Sequence, residues 1–104
     1  MELPLADQPI AECRLDLAGL DEQRERYRRL ALALESTERE PQRLTARFSS
    51  ALDQNLLAET LAVERECCEF FQIDYEPDGR LLTVRVDDPR LNPALDALQH
   101  ALTA

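Results

Sequence analysis

The sequence predicts an α+β fold, a single two-layer domain in which helices pack on a mostly antiparallel four-stranded sheet. Three observations support this prediction: short segments with alternating apolar residues, longer segments with apolar residues at helical spacing, and a strong turn signal between two late strands. A chain of 104 residues is long enough for one hydrophobic core and too short for two. We therefore expect one domain over residues 11–104, with residues 1–10 as an extended lead-in.

The first half of the chain predicts a strand, a helix and a second strand. Apolar residues alternate over residues 11–17, which is typical of a half-buried strand and points Cys13 inward. A helix over residues 21–35 follows, because apolar residues recur there at helical spacing. Residues 36–41 form a polar break, and the alternation at residues 44–48 predicts the second strand.

The second half predicts the longest helix, a β-hairpin and a last short helix. The long helix covers about residues 50–70, because Ser50 followed three residues later by Asp53 resembles the start of a capping box. Strands around residues 73–75 and 82–86 flank a Glu-Pro-Asp-Gly turn at residues 76–79. A short helix with one leucine stripe begins at Asn92. The predicted order is therefore β-α-β-α-β-β-α.

The charge of the chain disfavours several kinds of partner. It has 21 acidic residues against 12 basic ones, all of them arginine, and a formal net charge of -9. Nucleic acids and anionic membranes would on average repel such a protein. The basic cluster at residues 24–29 alternates with glutamate, which predicts a solvated helix face. We expect no nucleic-acid or membrane partner, whereas a protein partner or a homodimer stays open.

The N-terminal sequence predicts a cytoplasmic protein. Residues 1–7 have no positively charged region followed by an apolar run, so they do not predict a signal peptide. No stretch approaches the ~20 apolar residues that a transmembrane helix needs. In the cytoplasm we expect Cys13, Cys67 and Cys68 to be kept as thiols.

The segment from Glu64 to Cys68 is the part of the sequence that favours chemistry. On a helix, Glu64 falls within the apolar arc, and Cys67 and Cys68 follow it at i+3 and i+4. A carboxylate aimed at the core requires a hydrogen-bonding partner or a proton. A bound cation would favour the ionised carboxylate and the thiolates together.

These residues predict a soft-metal site. We expect Cys67 and Cys68 to bind an ion such as Zn, Cu(I) or Hg, with Glu64 as a ligand or as a hydrogen-bond acceptor. Cys13 on its inward strand face would complete a three-thiol set. The chain has no CxxC motif and no pair of histidines, so a zinc finger is not predicted, and His100 is expected on the surface.

Two other functions stay open. In the first, the cysteines fill the core of a non-catalytic interaction module, and in the second, Cys13 forms a reversible disulfide with one member of the doublet. Nucleophilic catalysis is disfavoured, because a helix C-terminus and the nearby residues Glu64, Glu66 and Glu69 disfavour the thiolate of either cysteine of the doublet. Since the sequence has no other catalytic motif, we do not expect an enzyme.

The chain resembles a family of small uncharacterised bacterial proteins. The resemblance lies in the E-x-x-C-C-x-F-F run over residues 64–71, in a Cys-x-Leu strand at Cys13, and in the closing hairpin and helix. It covers most of the chain from Cys13 onward and implies a common fold. Because such proteins occur alongside metal-responsive regulators, it also implies a heavy-metal role for Cys13, Cys67 and Cys68. A proline or small residue often follows the doublet in this family, whereas this chain has Glu69.

Overall fold

The computed structural model describes residues 17–103. This part of the chain forms three α-helices and four strands, with a short 3-10 helix at Pro89–Leu91 before the last helix. In chain order they are α1 (Leu17–Ala31), β1 (Leu34–Glu40), β2 (Arg43–Phe48), α2 (Gln54–Cys67), β3 (Gln72–Glu76), β4 (Leu81–Arg85) and α3 (Asn92–Thr103).

The strands form one sheet in the order β1-β2-β4-β3, and every neighbouring pair is antiparallel. Side chains alternate between the two faces of the sheet, and one face is apolar because residues such as Leu44, Phe48 and Val84 are buried. These residues share one core with Leu57 of α2 and Leu95 of α3. The predicted fold class, helices packed on an antiparallel four-stranded sheet, is confirmed.

Strand β1 corrects the prediction for residues 34–41, where the sequence suggested a helix end and a polar break. Helix α1 ends at Ala31, and a two-residue turn at Pro41 and Gln42 lets β1 pair with β2. Gln42 has a φ of 66°, which suits the position after proline in a type II turn. A polar strand is stable here because it lies at the edge of the sheet, where alternate side chains reach solvent.

The predictions for the N-terminal residues lie mostly outside the part of the chain that the structure describes. This holds for the lead-in over residues 1–10 and for residues 11–16 of the predicted first strand. Leu17, predicted as the end of that strand, is the first residue of α1. The described sheet nevertheless has four strands, because β1, which the sequence did not predict, pairs with β2 at one edge.

Helix α2 begins later than the sequence predicted, and the next helix begins where it was expected. Asp53, predicted three residues after a Ser50 start, is itself the cap of α2, and its carboxylate accepts the N–H of Leu56 at 3.1 Å. Helix α3 begins at Asn92, and its leucine stripe at residues 95, 98 and 102 is buried as predicted. None of the described helices has both the length and the apolar character needed to cross a membrane.

The C-terminal end of α2 differs from the prediction. The helix ends at Cys67 and not near residue 70, because the backbone of Cys68 leaves the helical region with φ -126° and ψ 72°. The N–H of Cys68 still donates to the carbonyl of Glu64 at 2.7 Å, and the N–H of Phe71 donates to the carbonyl of Cys68 at 3.0 Å. The cysteine doublet therefore spans the helix end, with Cys67 inside α2 and Cys68 just beyond it.

The hairpin between β3 and β4 confirms the predicted turn. The carboxylate of Glu76 accepts the backbone N–H of Asp78 at 3.1 Å and that of Gly79 at 2.5 Å. A Cβ atom on Gly79 would lie 2.8 Å from a carboxylate oxygen of Glu76, so a larger residue there would displace the exposed end of the Glu76 side chain. The hairpin directs the buried residues of β4 toward the helices.

Candidate functional site

The candidate site lies where α1 packs against α2, at a seam that is polar although it is buried. Helix α1 contributes Gln23 and Tyr27, and α2 contributes Thr60 and Glu64, all four with low solvent exposure. The hydroxyl of Thr60 donates to the carbonyl of Leu56 at 2.7 Å, so it is satisfied within its own helix. We call these four residues, Gln23, Tyr27, Thr60 and Glu64, the polar seam.

Glu64 is the charged residue of the polar seam, and its side chain points inward as the sequence predicted. Only 8% of Glu64 is exposed. Its Oε2 atom accepts a short hydrogen bond from the hydroxyl of Tyr27 and a second one from Nε2 of Gln23 at 3.2 Å. Both donors come from α1. Burying a carboxylate costs free energy unless it is hydrogen-bonded, and here the neighbouring helix supplies those hydrogen bonds.

The amide of Gln23 is held in a fixed orientation from both ends. Its Nε2 also donates to the backbone carbonyl of Thr60 at 3.0 Å, and its Oε1 accepts from Arg26 Nη1 at 2.7 Å. Arg26 is in turn 3.6 Å from the carboxylate of Glu59 on α2. Because its acceptor end faces Arg26, the donor end of Gln23 is directed at Glu64.

The cysteine doublet lies beside this carboxylate. Cys67 and Cys68 are each 6% exposed, and their sulfur atoms are 3.4 Å apart. The two sulfur atoms and a carboxylate oxygen of Glu64 all lie within 4.8 Å of one another. The structure therefore brings together three of the four residues predicted for the metal site, all from one turn at the end of α2.

The surroundings of Cys68 disfavour its thiolate. Burial, followed by the negative charge of Glu64 and a hydrogen bond from the thiol to that carboxylate, raises the pKa of Cys68 to about 12. The same causes, burial first and Glu64 second, raise the pKa of Tyr27 well above its ordinary value. Cys68 is therefore a poor nucleophile, as expected from the sequence, and of the three acidic neighbours considered there Glu64 is the one that contributes, after burial.

The two cysteines are in different oxidation states. Cys67 is disulfide-bonded, whereas Cys68 is a free, buried thiol. The expectation that all cysteines are thiols is therefore wrong for Cys67 in this structure. A metal ion could use both sulfur atoms only after this disulfide is reduced, because the ligand must be a thiolate.

The remaining predicted residues contribute little to this site. Cys13 lies outside the described residues, and His100 is exposed on α3. Sequence reasoning missed Gln23 and Tyr27, which are 41 and 37 positions from Glu64. One signal was present, because Gln23 lies one helical turn before Tyr27 and shares its buried stripe with Leu30.

Comparison with protein-family models, with curated proteins and with solved structures finds no match to this chain. The E-x-x-C-C-x-F-F resemblance therefore remains a prediction.

Proposed function

We propose that the reduced protein is a non-enzymatic, cytoplasmic binding protein for one soft metal ion. Cys67 and Cys68 supply thiolates, and Glu64 supplies a carboxylate oxygen. The observation that supports this proposal is the mutual distance of these three donor atoms, at most 4.8 Å. One ion could contact all three after small side-chain movements, since thiolate–metal bonds are about 2.3 Å long.

The chemistry of the donor set favours a soft ion over a hard one. Thiolate sulfur selects ions such as Zn, Cu(I) and Hg, whereas Ca and Mg prefer sites made of oxygen alone. The ion's charge would offset the repulsion that the buried thiolates experience from Glu64. Tyr27 and Gln23 already donate to Glu64, so they would hold the carboxylate in place for the ion.

The test is a titration of the reduced full-length chain with Zn²⁺, Cu(I) and Hg²⁺, followed by thiolate-to-metal absorbance. We expect one equivalent to bind, and we expect the Cys67→Ser/Cys68→Ser double variant to lose the signal. Glu64→Gln should weaken binding by roughly 10–100-fold. Glu66→Gln is the matched control, because Glu66 is on the same helix but exposed. Equal titrations for the wild type and the double variant would refute the proposal.

Cys13 enters the proposal as an additional thiolate. A Cys13→Ser variant measured in the same titration tests this part separately. Weaker binding would support a three-thiol set, and unchanged binding would limit the site to Glu64, Cys67 and Cys68.

A thiol redox switch is the second candidate function, and the disulfide at Cys67 favours it. We propose Cys13 as the second cysteine, because Cys68 is free and the chain has three cysteines. Hydrogen peroxide would remove one hydrogen from each thiol, giving the disulfide and two molecules of water. Mass mapping after mild peroxide treatment should find a peptide that links Cys13 to Cys67, and its absence would exclude the switch.

The third possibility, an interaction module with core cysteines, is less well supported. It predicts that Glu64 is satisfied by an arginine or by solvent, whereas the described contacts come from Tyr27 and Gln23. Among the described residues, Leu32 is the large apolar side chain left exposed, at 87%. A single exposed leucine is ordinary for a protein surface and does not indicate a binding patch.

A further inference from the structure

The disulfide at Cys67 occupies one of the three donor atoms of the candidate metal site. Cys67 Sγ, Cys68 Sγ and a carboxylate oxygen of Glu64 form that donor set, and Cys67 is disulfide-bonded. A cysteine binds a metal ion as the thiolate, and a sulfur atom in a disulfide has no thiol to ionise. The same sulfur atom therefore belongs either to the disulfide or to the ion, and not to both.

The two donors that remain in the oxidised chain are bonded to each other. The thiol of Cys68 is hydrogen-bonded to the carboxylate of Glu64. An ion bound by this pair would break that hydrogen bond and gain only two protein ligands, whereas Zn sites in proteins have three or four. Within residues 17–103, no other His, Cys, Asp or Glu side chain joins this group. The oxidised chain therefore has too few ligands to bind such an ion tightly.

We infer that the disulfide at Cys67 makes metal binding depend on the oxidation state of the chain. This inference rests on the proposed function and names how its site is regulated. The reduced chain binds the ion through Glu64, Cys67 and Cys68, and the oxidised chain releases it. The two candidate functions, metal binding and a redox switch, are then two states of one site.

The reductant is a small thiol of the glutathione class, which keeps cytoplasmic thiols reduced. Two glutathione molecules give two electrons to the protein. The S–S bond between Cys13 and Cys67 breaks, one S–S bond forms between the two glutathione molecules, and their thiol hydrogens end on Cys13 and Cys67. The ion then displaces the thiol protons of Cys67 and Cys68 to solvent. Hydrogen peroxide reverses the redox step, taking two thiol hydrogens and giving two molecules of water.

An ion that binds only the reduced chain must also stabilise the reduced chain. At a free ion concentration about 100 times the Kd, the equilibrium should shift about 100-fold toward the two thiols. A tenfold change corresponds to about 30 mV for a two-electron couple, so the midpoint potential of the disulfide should rise by about 60 mV. A disulfide that does not compete with the ion would show no such shift.

The test equilibrates the full-length chain in glutathione buffers of graded potential, with and without free Zn²⁺ that a chelator holds at 100 times the Kd. Zn²⁺ is the probe because it has no redox chemistry of its own. If it does not bind, the ion that the reduced chain binds in the preceding titration replaces it. Alkylation followed by mass mapping measures the fraction of Cys13 linked to Cys67. We expect the ion to shift the midpoint about 100-fold.

Two variants separate the disulfide from the ion. Cys68→Ser keeps both cysteines of the disulfide but loses a ligand, so binding weakened 100-fold or more should leave a shift of at most about twofold at the same ion concentration. Glu64→Gln keeps all three cysteines and should leave a shift of roughly 2–11-fold, since its binding is weakened by roughly 10–100-fold. Glu66→Gln, at an exposed position, should keep the full shift.

The outcomes distinguish this inference from the proposed function. If the reduced chain binds the ion but the midpoint is the same with and without it, the inference is wrong and the proposed function stands. The same holds if the oxidised chain yields no peptide that links Cys13 to Cys67. If the reduced chain binds none of Zn²⁺, Cu(I) and Hg²⁺, both proposals fail.

Discussion

At the scale of single residues, Glu64 is hydrogen-bonded to the buried side chains around it and raises the pKa of Cys68. Its buried carboxylate accepts hydrogen bonds from Tyr27 and Gln23, and its charge is one cause of the raised pKa of Cys68. Removing one donor leaves a buried acceptor partly unsatisfied, which costs more than an ordinary hydrogen bond contributes. The carboxylate that raises the pKa of Cys68 is therefore held in place by residues of another helix.

Tyr27→Phe is expected to destabilise the protein by about 1–3 kcal/mol, because Glu64 loses a donor in a buried place. The measurement is urea unfolding at neutral pH. Tyr75→Phe is the matched control, since the hydroxyl of Tyr75 bonds Gln54 at 3.0 Å in an exposed position. A loss of stability as small as that of the control would show that a water molecule takes over the hydrogen bond that the hydroxyl of Tyr27 donates to Glu64.

Alkylation of Cys68 is expected to be slow at pH 7–9 in the native protein, because its pKa is raised to about 12. The rate should increase about tenfold per pH unit in this range, since only the thiolate reacts. In urea, where the pKa returns to about 8.5, the same thiol should react quickly. Mass spectrometry of the peptide that contains Cys68 measures its alkylation, and equal native and unfolded rates would contradict the assignment.

The same pKa gives the direction of a pH effect on stability. The thiol of Cys68 has a higher pKa in the folded state than in the unfolded state, so the fold favours its protonated form. This contribution is fully present below pH ~8.5 and is lost as the pH rises toward 12. Urea unfolding should show a steeper fall in stability over this range for the wild type than for Cys68→Ser.

The sequence predicted part of this site. Helical spacing alone placed Glu64 on the apolar side of its helix and beside the doublet. Gln23 and Tyr27 were missed because they belong to another helix, and a helical period does not show which helices pack together. The disulfide at Cys67 was not predictable either, because the pairing of cysteines depends on the folded positions of their Cβ atoms.

At the scale of elements, the sequence located α2 but neither of its ends. The capping pattern placed the start at Ser50 although Asp53 is the cap, and the apolar pattern that predicted a helix to residue 70 did not reveal its end at Cys67. The polar strand β1 was missed because its stability comes from pairing with β2. Its Arg39 also donates to Asp96 of α3 at 2.7 Å, a contact that only the folded chain creates.

Asp53→Ala is expected to lower the free energy of unfolding by about 1 kcal/mol, because the first turn of α2 loses its cap. Thermal or urea unfolding measures the change. Asp21→Ala is a suitable control, since Asp21 is exposed and contacts Arg24 at 3.4 Å on the surface of α1. A change no larger than that of the control would mean that α2 does not depend on this cap.

At the scale of the whole molecule, one core joins the sheet to the helices, and α3 completes it. Leu95 and Leu102 are fully buried in the same cluster as Phe48 and Val84. The sequence predicted this layer arrangement, because a sheet with one apolar face must be covered by amphipathic helices. It did not predict the order β1-β2-β4-β3, because alternation alone does not select neighbouring strands.

Leu95→Ala is expected to destabilise the protein by about 2–5 kcal/mol, because it leaves a cavity in the core. Leu32→Ala, at a side chain that is 87% exposed, should change stability by no more than about 0.5 kcal/mol. Urea unfolding of both variants measures the difference. Similar losses for the two variants would mean that α3 is not part of the cooperative core.

The polar seam also determines how α1 is aligned on α2. Gln23 and Tyr27 lie one turn apart on α1 and meet Thr60 and Glu64, which lie one turn apart on α2. Apolar ridges alone would tolerate a shift of one turn, about 5.4 Å, between the helices. Such a shift would separate Glu64 from its donors and leave a charge without hydrogen bonds in the core. The carboxylate at the candidate metal site therefore also selects a single packing of the two helices.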